Sequence, residues 1–542
     1  MRKVLTILLC VVMSVVMLPI YAGASAEDVS QDIPEGHGCE KRKMITNEDG
    51  KYRLIITSDA EVDDFNSFLN LLLFANDFDI EGVIYSSSWC HWNGDGEHTQ
   101  GEINPSINSL DKCMEQVGEE AVNLKEFRPM DLDWFQNVID NYYRTDYEYL
   151  VQNDPRFPEP DDLLSTVKIG NVEFQGDVRF DTEGSDLIKD AILKDDERQL
   201  IIVNWGGFNT TCRALLSIYE EYGQEPDWAE MEKQIGEKLL VTGFYQDNSY
   251  DDNHIAEIYP DVHQYHGTGL NLGYYRSNSA PERFRDYFKA EQMCEHFIFD
   301  HGEIMGHQYT FGDGQILKGE LDMFQFGLRL DAPNMQDRTF EKYDHLAWTD
   351  TPSWVTYTNV GLRGLENPNL GTWAGRVKVD LVEQNRIKDY TEYDEYDKKE
   401  RATYSGIRFM GDLLDEFVAR ADWAARPYEE CNHAPVVTAE NLDLTASAGD
   451  TVSMKVELSD PDENSMNVNW FVYNRACEYY GAERDTLTVE SEDVVLTETS
   501  SENAVTIPED AMPGDYIVVI CRVQDDSFAP MTRYAEFVIE IQ

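Results

Sequence analysis

Arg53-Leu-Ile-Ile-Thr-Ser-Asp-Ala-Glu-Val-Asp-Asp64 decides how the chain is read. Arg53 to Thr57 is a short apolar run of the kind that forms a strand buried on both faces. It passes straight into Asp59, Glu61, Asp63 and Asp64, four carboxylates within six residues. From Asp63 to Ala75, the apolar residues Phe65, Phe68, Leu69, Leu72 and Leu73 recur at helical spacing. A buried strand, an acidic turn and a helix open an α/β unit. Such sheets bind ligands beyond the carboxyl ends of their strands. Asp63 and Asp64 begin the helix, where its dipole favours negative charge. Carboxylates this close repel one another unless a cation lies among them, and an oxygen-only donor set suits Ca2+. The competing reading is helix capping, with Asp59 or Asp63 as the cap and the other acids solvated.

The same alternation continues downstream. Ile80 to Tyr85 is a second strand, followed by a long, less regular insertion. Then come a helix over 185–194, a strand from Leu200 to Asn204, a helix over 209–221 and a strand from Leu239 to Phe244. Strands alternating with helices predict a mostly parallel sheet with flanking helices. Near residue 431 the character changes. Short alternating runs follow (Val452 to Leu458, Val468 to Tyr473, Ala504 to Ile507, Tyr516 to Val523, Tyr534 to Ile541), separated by turn signals such as Pro513-Gly-Asp515. They predict an immunoglobulin-like β-sandwich over 431–542.

The 542 residues carry 44 Lys plus Arg against 103 Asp plus Glu, a formal charge of −59. That excludes a nucleic-acid backbone or an anionic membrane surface as the main partner. At the N-terminus Arg2 and Lys3 precede an apolar run from Val4 to Ile20, then Ala22-Gly-Ala-Ser-Ala26. Basic, apolar and small residues in that order predict a secretory signal peptide over 1–26, with a linker over 27–48, so the mature protein is expected outside the cell. The alternative is a retained membrane anchor. Nine cysteines are present, none in a CxxC pair. Their spacing does not suit zinc and leaves their pairing open, including whether Cys477 and Cys521 pair or are two buried thiols.

The acidic stretch resembles the signature of the nucleoside hydrolases, D-x-D-x-x-x-D-D at the end of a first strand. Asp59, Asp63 and Asp64 match its last three acids in register, and Thr57 stands where the first Asp would be. The resemblance implies that Asp59 is both a metal ligand and the general base on a calcium-bound water, that Asp64 chelates calcium and that Asp63 binds a sugar hydroxyl. Leu200 to Thr210 resembles the family's central strand and turn, which implies a backbone carbonyl ligand at about Trp205. Trp348-Thr-Asp-Thr-Pro-Ser353 resembles the late segment that completes the metal shell, so Asp350 is the implied ligand. The family's usual His before that Asp is Thr349 here, and its usual Pro-Gly is Glu61-Val62. The likeness is closer to one branch, secreted bacterial proteins with a nucleoside-hydrolase-like domain and a β-sandwich, catalogued as cellulose-binding. Ile80-Glu-Gly-Val83, Asp181-Thr-Glu-Gly-Ser-Asp-Leu187, Trp205-Gly-Gly207, Asp350-Thr-Pro-Ser353 and Gly371-Thr-Trp-Ala-Gly-Arg376 carry it.

Other residues keep two readings. Gln246 and Asp247 follow a strand end and suit substrate hydroxyls or a solvated turn. Trp89, His91 and Trp92 suit ring stacking or core packing. Asp181, Glu183, Ser185 and Asp186 form either a helix cap or a sugar-contacting loop. His301 is a candidate leaving-group acid or a structural histidine. Asp460, Asp462 and Glu463 form either an inter-strand turn or a calcium loop. The expected domains are 49–430, nucleoside-hydrolase-like, and 431–542, the sandwich. The expected function is a secreted Ca2+-dependent hydrolase of glycosyl bonds, N-glycosyl by the resemblance, acting on a ribosyl or glycan substrate. The alternative is a non-catalytic binder of a cellulose-like polysaccharide.

Overall fold

Tyr52–Ser58 forms a strand (β1) in which every residue is buried. Its neighbours on either side, β2 (Phe78–Tyr85) and β4 (Leu200–Trp205), run parallel to it. With β3 (Val167–Ile169), β5 (Leu239–Gly243), β6 (His263–His266), β7 (Val377–Asp380) and β8 (Arg386–Asp389) they make one eight-stranded sheet. The order is β3-β2-β1-β4-β5-β6-β8-β7, parallel except for the antiparallel edge pair β7/β8. The computed structural model describes residues 39, 41–89, 91–94, 96–99, 125, 131–243, 247–266, 270, 272, 281–310, 343–345, 347–380, 386–389, 392–394, 398–401, 404–490, 494–496 and 499–542. The expected signal peptide, residues 27–38 of the expected linker, Cys90, Cys113 and Gln246 lie outside the described residues.

Successive side chains of a strand face opposite ways, and here they feed two cores. Leu54, Ile56, Ile201 and Val203 pack on the side of helix α1 (Val62–Leu72). Ile55, Ile84 and Ile202 pack on the side of α2 (Glu183–Leu193) and α3 (Asn209–Tyr222). Arg53 is fully buried, and its guanidinium donates to Glu81 at 2.9 and 2.7 Å and to the Ala191 carbonyl at 2.7 Å. The expected helix is therefore present, ending at Leu72 with a short 3-10 turn over Ala75–Asp77. The region read as an irregular insertion carries the helix Arg144–Asn153 and the edge strand β3. The strands β6, β7 and β8 were also not anticipated, being short and polar.

From β1 the chain builds outward through β2 to β3, then returns to β4 and builds outward the other way. The order reverses between β1 and β4, and a crevice opens at such a switch point beyond the carboxyl ends of the strands. The acidic stretch follows β1 directly.

Beyond residue 431, strands dominate. Three strands, β11 (Val436–Thr438), β13 (Thr451–Ser459) and β16 (Ser500–Thr506), make one sheet. Five, β12 (Asp443–Ala446), β14 (Met466–Val472), β15 (Val494–Leu496), β17 (Tyr516–Asp525) and β18 (Thr532–Ile541), make the other. In β13 Met454, Val456 and Leu458 point inward between exposed neighbours. β17 and β18 are buried almost throughout because the α/β domain covers their outer face. Arg522 pairs with Asp412, Arg533 with Glu416, and the Tyr534 amide donates to the Val360 carbonyl at 2.9 Å. Cys477 and Cys521 are buried free thiols. The Asp460 turn is a hydrogen-bonded one, Asp460 accepting from the Asp462 and Asn464 amides at 2.9 Å each.

Candidate functional site

The turn after β1 is built to present acids. Ala60 has a positive φ of 66°, an unfavourable conformation for a residue with a side chain. The Ser58 hydroxyl steadies it by accepting from the Ala60 amide at 3.1 Å. Across the switch point, the Trp205 carbonyl accepts from the Asp59 amide at 3.2 Å. A carbonyl has a second lone pair, so this oxygen keeps acceptor capacity beside Asp59. Gly206 follows at φ +93°, and a Cβ there would lie 2.4 Å from the Asp59 carboxyl carbon. The turn must therefore be glycine.

The N-cap position of α1 is Glu61, not Asp59 or Asp63, and its side chain makes no capping hydrogen bond. The capping reading of the acidic stretch is thus not what the structure holds. Instead Asp63 and Asp64 meet Asp350 from a distant part of the chain, with carboxylate oxygens of all three within 4.8 Å of one another. Asp59, Glu61 and His91 form an adjoining group on the same criterion. His91 Nδ1 lies 2.8 Å from Glu61 Oε2 and 3.6 Å from Asp59 Oδ2. All six side chains are buried.

Asp350 is positioned by the polar face of α1. Asn66 Nδ2 donates to the Tyr309 and Ala347 carbonyls at 2.9 and 3.0 Å, and Asn66 Oδ1 accepts from the Tyr309 amide at 2.7 Å. Asn70 donates to the Thr351 hydroxyl, which donates to Ser67, both at 3.1 Å. Thr351 opens the short helix Thr351–Val355, immediately after Asp350. From β4, Trp205 Nε1 donates to Ser353 Oγ at 2.9 Å, and Ser353 Oγ donates to the Asp350 carbonyl at 2.5 Å.

Burial and the neighbouring acids push the carboxyls of Glu61, Asp64 and Asp350 well above the ordinary carboxylate range. Neither oxygen of Asp59 accepts a hydrogen bond among the described residues, nor does Asp64 Oδ1. Buried acceptors without donors are costly, and a cation among them removes that cost. The residues present therefore fit a metal: three carboxylates give a hard, oxygen-only donor set at Asp63, Asp64 and Asp350.

Of the residues that sequence reasoning placed at one locus, the fold gathers Asp63, Asp64 and Asp350 into one group, sets Asp59 in the adjoining one and bonds the Trp205 carbonyl to the Asp59 amide. Trp89 is 43% exposed on the loop beyond β2. Asp247 is buried and holds the local backbone, accepting from the Asn209 amide at 3.1 Å and from the Ser249 amide and hydroxyl at 2.8 and 2.6 Å. It also packs on Gly207, where a Cβ would lie 2.4 Å from Asp247 Oδ2. Thr57, at the missing first acid, donates to Asn204 Oδ1 at 3.1 Å. Thr182 caps α2 in a box with Ser185, and Asp181 pairs with Arg213. His301 lies 3.1 Å from Asp422 and 2.8 Å from the Glu295 carbonyl, outside the acidic groups. The functional reading missed Glu61 and His91. Glu61 stood in the quoted stretch but read as a departure from a motif. For His91 the sole signal was its place just beyond a strand on the same sheet edge.

A family model described as "Cellulose-binding Sde182, nucleoside hydrolase-like domain" matches residues 53–377, from the start of β1 to past Asp350. The chain belongs to this family. The model for the C-terminal domain of cellulose-binding protein Sde0182 matches residues 451–541, most of the sandwich. A solved relative is a nucleoside hydrolase-related hypothetical protein from Saccharophagus degradans, associated with carbohydrate metabolism. It is 22% identical, with a TM-score of 0.61, covering 91% of this chain and 100% of that one. At that identity the likeness supports the fold. Two further solved domains match 20% of this chain each. They are a PapD-like domain of human CEP192 (10% identical, TM-score 0.15, 84% of that chain) and domain 1 of VCBP3 from Branchiostoma floridae (13%, 0.14, 96%). Their scores are too low to say more about the sandwich. No curated protein matches the chain. No helix among the described residues is long and apolar enough to cross a membrane.

Proposed function

We infer that this member of the Sde182 family is a secreted, calcium-dependent hydrolase of glycosyl bonds, N-glycosyl by the kinship of the fold. One observation carries the reading: a buried Asp59 carboxylate with no hydrogen-bond donor among the described residues, beside the Asp63–Asp64–Asp350 cup. Asp64, Asp350 and the Trp205 carbonyl would hold Ca2+, with Asp59 at its edge. Bound Ca2+ acts as a Lewis acid that makes a water easier to deprotonate. Asp59 takes that proton, a role suited to a carboxylate no protein donor neutralises. Asp63 accepts from a sugar hydroxyl. Trp89 offers an exposed ring face to a sugar, and Gln246 and Asp247 are assigned to substrate hydroxyls. Residues 1–26 serve as the export signal and 27–48 as the linker. The catalytic domain is 49–430 and the sandwich 431–542. An N-glycosidic bond breaks through an oxocarbenium-like state, which this anionic edge favours.

A second reading, a non-catalytic binder of cellulose-like glycan, is favoured by a different observation. Asp59 is 0% exposed and Asp350 4%, so little of either side chain is within reach of a polymer. Calorimetric titration of Ca2+ into the chelator-stripped mature protein, beside Asp64→Ala, tests the cup. Binding that Asp64→Ala abolishes supports it. A nucleoside and glycan hydrolysis screen with Asp59→Asn as the inactive control then separates the two readings: turnover supports the hydrolase, and glycan retention without turnover supports the binder.

A further inference from the structure

We propose that Asp59, Glu61 and His91 form a second cation site, distinct from the calcium cup and selective for a first-row transition metal such as Zn2+. Ligand atoms of the three residues lie within 4.8 Å of one another, and all three side chains are buried. A cation bound at roughly 2.0–2.2 Å from nitrogen and oxygen ligands separates those ligands by no more than about 4.4 Å, so the cluster is near the required size. The independent observation is Asp59, which is 0% exposed with neither carboxylate oxygen accepting a hydrogen bond among the described residues. A carboxylate has two oxygens, so Asp59 can serve this site with one and keep the other for the proton the proposed reaction assigns it.

Charge points the same way. Asp59, Glu61, Asp63, Asp64 and Asp350 bring five carboxyl groups into two adjoining clusters, and His91 supplies the one imidazole beside them. Among the described residues, no Lys or Arg ion-pairs with Asp59, Glu61, Asp64 or Asp350. One divalent cation leaves an excess of buried negative charge; a second nearly cancels it. The two donor sets differ in kind. Three carboxylates select a hard cation, whereas a set with imidazole favours zinc and its neighbours over calcium. His91 is oriented by its loop, the Ser88 amide donating to the His91 carbonyl at 2.8 Å and the His91 amide to Ser88 Oγ at 3.2 Å. The sequence places it beyond β2 and Glu61 beyond β1, so two neighbouring strand ends supply the site.

This site stands beside the calcium reading and does not depend on it. The test uses the mature full-length protein, stripped with chelator and titrated with Zn2+ and separately with Ca2+. Wild type is expected to take up one Zn2+ in the presence of saturating Ca2+. His91→Gln is expected to weaken Zn2+ binding at least ~100-fold, since even outer partners of metal ligands are worth 10–100-fold, with Ca2+ binding within about threefold of wild type. Asp350→Asn is expected to do the reverse. Co2+ added to wild type is expected to give visible ligand-field bands and an X-ray absorption spectrum containing a nitrogen neighbour. That measurement needs no variant, so it decides the matter even if His91→Gln does not fold. Absence of Zn2+ uptake by the stripped wild type, uptake unchanged in His91→Gln, or a Co2+ shell of oxygen alone would overturn the site and identify His91–Glu61 as a structural ion pair. Absence of Ca2+ binding by wild type with Zn2+ binding intact would refute the calcium cup and leave this site standing.

Discussion

Asn66 is the residue through which α1 fixes the Asp350 segment, and Asn66→Ala tests whether the cup is preassembled. The side chain makes three buried hydrogen bonds, to the Tyr309 carbonyl (2.9 Å), the Ala347 carbonyl (3.0 Å) and from the Tyr309 amide (2.7 Å). Truncation leaves one amide and two carbonyls without these partners. At ~1–3 kcal/mol per abandoned group, with carbonyls at the low end because they have two lone pairs, the loss is about 3–6 kcal/mol. The described residues belong to one unit of roughly 500 residues, Gly38–Gln542. At ~2.1 cal/mol/K per residue its unfolding entropy is ~1 kcal/mol/K, so the expected fall in Tm is about 3–6 °C if the unit unfolds as one. Ala347 lies three residues before Asp350, so calcium affinity should fall as well, by ~10–100-fold, the usual cost of releasing a ligand's support. Thermal unfolding with calcium and with chelator, together with calcium titration, measures both. A Tm within 1 °C of wild type with unchanged calcium affinity would refute the idea that this clasp sets the cup.

Further outcomes are expected from the same geometry. Asp64→Asn should lose the calcium-dependent rise in stability, which for wild type at 100 times Kd is ~2.7 kcal/mol, or about 3 °C by the entropy above; differential scanning calorimetry reads it. Glu61, Asp64 and Asp350 titrate above the ordinary carboxylate range in the folded chain. Their contribution is therefore present below the unfolded value and lost as pH rises. The chelated protein should be less stable at pH 8 than at pH 5, with a larger calcium increment at pH 8; equal increments would contradict this. Glu536, buried against the Arg363 amide at 2.6 Å, is pushed by burial from 4.5 to about 8. By the same sign it costs stability as pH rises, about 5 kcal/mol by pH 8 at ~1.4 kcal/mol per pH unit. Glu536→Gln should flatten that part of the denaturation profile. Gly206→Ala, forced to a φ of +93° with its Cβ against the Asp59 carboxylate, should cost at least ~1–3 kcal/mol and abolish calcium binding, seen in paired denaturation and titration.

The α/β core was legible because both faces of the sheet are covered, which turns a strand into an unbroken apolar run such as Leu54-Ile-Ile56. The sandwich was legible for the opposite reason: β13 alternates, with Met454, Val456 and Leu458 inward. Elements fixed by neither pattern escaped. β6 reads His263-Gln-Tyr-His266, with no apolar signal, and is placed by its pairing with β5 and β8. Helix α1 was found from its apolar stripe, but that stripe describes half of it. All eleven of its residues are buried, including Asn66, Ser67 and Asn70. The stripe says nothing of those three; their role appears once the Asp350 segment is seen lying on them.

The site divides along the same line. Asp59, Asp63 and Asp64 were legible because a single turn holds them, and a local run of acids at a strand end has few physical explanations. Asp350 and the Trp205 carbonyl came from resemblance; no spacing rule joins residues 59 and 350. Glu61 stood in the same acidic turn and His91 had only its place beyond β2, and nothing in the sequence joined the two. Their meeting depends on two facts that a sequence does not display: β1 and β2 are adjacent and parallel, and the left-handed turn at Ala60 separates Asp59 from Glu61. Given those facts the encounter is forced, because parallel neighbours deliver their following loops to the same edge. A histidine beyond one strand and a glutamate beyond the next then share a crevice, and the buried Asp59 carboxylate beside them has no hydrogen-bond donor among the described residues. This explains why the departures from the family pattern at Glu61 and Thr349 do not dismantle the site. The fold supplies the edge, and the acids of this chain fill it in their own way.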